Sequence, residues 1–174
     1  MATKVDVESM MVEYQARPDL FSIRRSDELG IYLFFDGRSL NDKTFDHHSW
    51  RQNRIYMGKR FDISGVDDAP SSIVVALWNE IDLTFDAFRQ HCIDLLRTHV
   101  EHELTSEPSP IIPRSCLECI RNSIDSGSIQ IPEIALGKMG WYNVDLGYPE
   151  FDTYYLSPRI CFNNHKVVEV EIIP

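Results

Sequence analysis

Between positions 84 and 104 the apolar residues Phe85, Phe88, Cys92, Leu95, Leu96 and Val100 recur at intervals of three and four, the period of an amphipathic α-helix. A helix of that length must lay its stripe on another surface, so the rest of the chain has to supply one. Asp82 or Thr84 suits its N-cap, and Phe88 and Leu95 are expected to point into the core. The stretch SEPSPIIP ends the helix. Pro113 then suits the first turn of a second helix over 114–124, stopped by the polar residues 125–127. So short a connection predicts antiparallel neighbours.

The flanks have strand character. Segments 20–23 and 31–35 read as a hairpin followed by the turn signal Asp36-Gly37. Residues 38–52 are polar apart from Leu40, Phe45 and Trp50, and read as a long loop leading into a strand over 54–63. The run 71–78 is short and rich in β-branched residues, which predicts a buried strand. Further strands are expected over 129–136, 141–146, 154–162 and 167–173. Between the last two, Asn163-Asn164-His165-Lys166 suits a tight turn because Asn tolerates positive φ. A short helix over 7–16 is closed by Arg17-Pro18. Strands, helices, then strands predict an α+β fold, a mainly antiparallel sheet with two principal helices packed on one face. With 174 residues, 43% of them hydrophobic, and no repeat or linker, one globular domain over 1–174 is expected.

Charge narrows the partners. Seventeen basic against 27 acidic residues give a net charge of −10, a field that repels phosphate backbones and anionic lipid. Neither nucleic-acid nor membrane binding is expected. The opening residues hold no signal-peptide core and no segment has the apolar length of a membrane span, so a cytoplasmic location is expected. Residues 17–60 carry nine basic and six acidic side chains, whereas 61–110 carry two basic and ten acidic. Within the second stretch Asp67, Asp68, Glu101 and Glu103 are candidates for docking a basic protein partner, though a charge run also serves solubility.

Two groupings could carry metal or acid-base chemistry. His99-x-x-His102 and Cys116-x-x-Cys119 supply four zinc-type ligands, but both pairs fall inside expected helices, where Cys92 and His99 continue the core stripe. His47-His48 lies in the polar loop with Asp42 and Asp46. Neither grouping amounts to a catalytic signature. The sequence contains no phosphate-binding Gly loop, no G-x-S-x-G and no H-E-x-x-H, and no cofactor is expected. A small metal-dependent or acid-base enzyme and an adaptor subunit stay open as alternatives.

A last segment mixes aromatics and acids: Trp141, Tyr142, Tyr148, Phe151, Tyr154 and Tyr155 with Asp145, Glu150 and Asp152, punctuated by Gly140, Gly147 and Pro149. Aromatic anchors rimmed by charge suit a protein interface, and Trp141, Tyr148, Glu150 and Asp152 join the partner-binding candidates. In size, acidity and want of catalytic groups the chain is similar to bacterial immunity proteins. That resemblance is one of composition. It implies an inhibitor that occludes the active or substrate-binding surface of a toxin domain, such as a nuclease with a basic surface.

Overall fold

A computed structural model describes residues 3–36, 48–67, 69–106 and 111–173. The chain runs β1 (Lys4–Val5), α1 (Val7–Ala16), β2 (Phe21–Ser26), β3 (Gly30–Asp36), β4 (His48–Tyr56), β5 (Lys59–Gly65), α2 (Ser72–Leu83), α3 (Phe85–Thr105), α4 (Arg114–Asp125), β6 (Gln130–Leu136), β7 (Trp141–Gly147), α5 (Phe151–Tyr154), β8 (Ser157–Asn163) and β9 (Lys166–Ile173). Strands β2 to β9 lie side by side in sequence order, and each neighbouring pair is antiparallel except β5 and β6. The α+β expectation therefore holds. A parallel pair needs a long crossover, and α2, α3 and α4 supply it between two antiparallel meanders.

Alternation along the strands sorts the side chains onto two faces. Phe61, Ile63, Ile134, Tyr142, Val144, Ile160 and Phe162 share one buried cluster with Val74, Trp78, Phe85, Cys92, Leu96, Val100 and Ile120 of the crossover helices. Helices α3 and α4 are antiparallel. Arg97 meets Asp125 at 2.5 Å, and the Arg114 guanidinium reaches the Leu104 carbonyl at the other end of the pair. Helix α1 takes the opposite face at the β3/β4 end, where Met10 and Leu33 are buried and Glu13 accepts from Arg51 and Asn53. The helices thus do not all share one side.

Four local expectations need correction, one of them the strand over 154–162, which begins only at Ser157 because Tyr154 closes α5 and Tyr155 takes a left-handed φ of 53°. The run 71–78 is not a strand but the start of α2: Ser71 caps it by accepting from the Val74 N–H at 3.3 Å, and Val74, Val75, Trp78 and Ile81 fall on one buried stripe. β-Branched content misleads when the helix continues to Leu83. Residues 48–52 are not loop but the first half of β4, with Trp50 at 2% exposure. The expected strand over 54–63 is a hairpin, because Met57 (φ 49°) and Gly58 (φ 77°) form a two-residue left-handed turn. Methionine is a poor turn signal, so Gly58 alone marks the break. The tight turn at 164–165 does form, with φ of 47° and 61°.

Candidate functional site

The crossover helices cover one face of the sheet, so β6, β7 and β8 turn Glu133, Asp145 and Arg159 to the other. A single cross-strand row runs there as successive register partners: Asn53, Asp62, Glu133, Asp145, Arg159, Glu171. In-register neighbours on one face have Cβ atoms ~5 Å apart, and like charges so placed repel. Three consecutive members of this row are carboxylates. Asp62 accepts from Asn53 at 2.6 Å and lies 3.5 Å from Arg51, Glu133 accepts from the Ser64 hydroxyl at 2.5 Å, and Asp145 pairs with Arg159 at 2.6 Å. Burial pushes the Asp62 carboxyl above its ordinary value, and the nearby Glu13 and Glu133 push the same way against Arg51 and Asn53.

Beside this row lies a groove of about 520 Å3, walled by Pro132, Tyr148, Pro149 and Phe151 and carrying Asp62, Glu133, Asp145 and Asp152. Among the described residues no Lys or Arg lines it. Trp141 is 46% exposed and shares a strand face with Asp145, four residues and so ~13 Å along β7. The site therefore combines an acidic groove with an exposed aromatic residue on one side of the sheet. No family model, curated protein or solved structure matches this chain.

The expected site residues separate on this frame. Asp152 and Tyr148 line the groove, but Tyr148 is 5% exposed and its hydroxyl lies 3.4 Å from the Cys116 thiol, so its ring is a wall and not a protruding anchor. Glu150 is exposed at the groove's end of the molecule and accepts from Ser123 at 3.4 Å. Asp67 pairs with Lys138 at 2.8 Å. Glu101 and Glu103 lie on α3, across the sheet from the groove, and Asp68 falls outside the described residues. The acidic stretch 61–110 is thus no single surface: Asp62 faces one way, the α3 acids the other, and Asp82 pairs with buried Arg54 at 3.1 Å instead of capping α3. Sequence reasoning missed Asp62, Glu133 and Asp145 as a set because only strand register brings 62, 133 and 145 together.

The metal and acid-base candidates do not converge. Among the described residues no three His, Cys, Asp or Glu side chains are placed to hold a metal. The Cys116 thiol is buried against Tyr148, and the Cys119 thiol meets the Tyr154 hydroxyl at 3.7 Å. Burial pushes the Cys116 thiol up and Cys92 to about 12, which disfavours the thiolate that a metal or an electrophile needs. Burial also lowers the His99 imidazole, with Glu103 opposing. His47 lies outside the described residues. His48 is the first residue of β4, not a loop residue, and sits 3.1 Å from Asp36. Among the described residues no helix is long and apolar enough to cross a membrane.

The raised Asp62 carboxyl yields a stability prediction. A group whose pKa rises on folding binds its proton more tightly in the folded chain, so stability falls as pH rises through the window from the ordinary value of 3.8 to the folded one. Above that window the charge costs stability. Asp62→Asn removes the cost and keeps an acceptor for Asn53, so its thermal midpoint at neutral pH should equal or exceed that of the parent. Thermal melts across acidic to neutral pH check this; a lower midpoint for the variant at neutral pH would contradict it.

Proposed function

We propose that the chain is a protein-binding inhibitor that docks a basic partner through the acidic groove, on the side of its sheet away from the crossover helices. In its finer form it acts in the cytoplasm as a bacterial immunity protein does, occluding a cognate toxin domain. The observation that carries the reading is the groove itself, lined by four carboxylates and, among the described residues, by no Lys or Arg, with Arg51 and Arg159 pairing Asp62 and Asp145 from beside it. An arginine or lysine of the partner can lay its aliphatic stem along Pro132 and Phe151 and place its charge among Asp62, Glu133 and Asp145. Such a cation relieves the repulsion between Glu133 and Asp62, which Arg51 offsets only in part. Trp141 supplies a large exposed ring on the same side, the residue type that most often anchors an interface.

The acidity of the groove suits a partner of the toxin class. A domain that cleaves nucleic acid has to present a basic surface to the phosphate backbone, and an acidic groove competes for that surface. The cytoplasmic part is supported by four free cysteines, as expected of a reducing compartment.

Affinity capture from the source cells tests the proposal, with the parent chain and Glu133→Lys as parallel baits. The expected result is a basic protein, retained by the parent and released by moderate salt, that is lost from the folded variant. A captured protein that is acidic, or that both baits retain equally, overturns the reading.

A further inference from the structure

A second cavity lies at the other side of the β5/β6 junction and carries the opposite charge. The parallel ladder begins at Asp62 and Glu133, so the residues before them in each strand are not paired with one another. Between them and the first turns of α3 opens a cavity of about 280 Å3. Its apolar part is aromatic: Phe61 and Phe85 stack with centroids 5.0 Å apart, and Tyr56 meets Phe85 edge-on at 4.8 Å. Its charged lining is Lys59, Arg60 and Arg89, with no carboxylate among the described residues. In a chain of net charge −10 this is an inversion of local sign.

Arg89 is held in place, donating to the Ile129 carbonyl at 3.0 Å, and Lys59 shares the strand face of Phe61. Arg60 alternates to the Asp62 face and lies 2.9 Å from Asp6, so Arg89 and Lys59 are the cavity's own cations. A guanidinium has five N–H donors, so the Ile129 contact leaves others of Arg89 for a ligand. Met57, placed at the mouth by the β4/β5 hairpin turn, is 79% exposed beside the cavity. A flexible apolar side chain there suits a lip that closes over an apolar ligand.

From this we infer that the cavity binds an amphipathic carboxylate with one ring or a branched aliphatic body, the body against Phe61 and Phe85 and the carboxylate on Arg89 and Lys59. Its volume sits at the lower end of small-molecule sites, ~300 Å3, so the occupant is about one ring in size. The same chemistry is offered by a free small acid and by the C-terminal residue of a peptide. The site is independent of the proposed partner groove, with which it shares only Gln130.

Titration with 3-phenylpropionate and its neutral amide, followed by amide NMR on the full chain, tests it. Saturable shifts are expected around 56–61, 85–89 and 129–131, with the amide binding about tenfold more weakly or worse. Loss of one charge-assisted contact in Arg89→Met should weaken the acid about ten- to a hundredfold. Should that variant fail to fold for want of the Ile129 contact, Lys59→Met gives the same reading, because Lys59 is exposed at the cavity's rim on the face of Phe61. Tri-peptides ending in Phe, with free or amidated carboxyl, assign the source: tighter binding of the free peptide than of 3-phenylpropionate marks a chain end, weaker binding a small acid. Equal affinity for acid and amide, no saturable binding, or shifts confined to other regions overturns the inference.

Discussion

Asp82→Ala is expected to lower the stability of the folded chain by about 3–5 kcal/mol, the loss typical when one partner of a buried ion pair is removed. Arg54 is 6% exposed and stands at the centre of a network: its guanidinium donates to Thr3 at 2.9 Å, to Gln52 at 2.8 Å and to Asp82 at 3.1 Å, over the face of Trp78. Asp82 in turn accepts from the Thr3 N–H at 2.8 Å and hydroxyl at 2.6 Å. Truncating it leaves a buried positive charge without a counter-charge and frees the segment that places β1 on β4. Burial already works against the Arg54 charge and Asp82 works for it. Urea unfolding of the single variant and of Arg54→Met/Asp82→Leu measures the effect. The pair should recover most of the loss, since removing both charges leaves nothing unpaired; a single-variant loss below about 1 kcal/mol would contradict the network's role.

Leu96→Ala should cost about 2–5 kcal/mol, because Leu96 is 0% exposed in the layer between α3 and the sheet and its removal leaves a cavity there. Its neighbour Leu95 is only partly buried, against the rim of the same cluster, so Leu95→Ala should cost less. Chemical denaturation of the two variants side by side checks the order. An equal or reversed pair of losses would show that α3 is rotated relative to the sheet.

That contrast shows how far the sequence is legible. Periodicity located α3 and α4 nearly to the residue, because both carry a long one-sided stripe and polar or Pro-rich ends. Spacing alone cannot rank Leu95 and Leu96, since adjacent residues differ by 100° about the axis and only the partner surface decides which is covered. The run 71–78 misled because Val and Ile suit either element in a buried setting, and Ser71 as a cap is a weak local cue. The groove was half visible. Tyr148 and Asp152 stood out as acids and aromatics close in sequence, whereas Asp62, Glu133 and Asp145 become neighbours only through the parallel β5/β6 ladder and the β6/β7 hairpin register. Long-range register of that kind leaves no mark in a single local window.

The central claim is that the groove is a site for a cationic group of a protein partner, and carboxyl-carbon NMR during titration with an arginine- and lysine-rich peptide tests it most directly. The carboxyl signals of Asp62, Glu133 and Asp145 should move together and saturably, the effect should weaken with added salt, and the raised Asp62 titration should shift down toward the ordinary carboxylate range as the cation arrives. Shifts confined to Glu101 and Glu103 on α3, or an Asp62 titration that does not change at saturation, would contradict it.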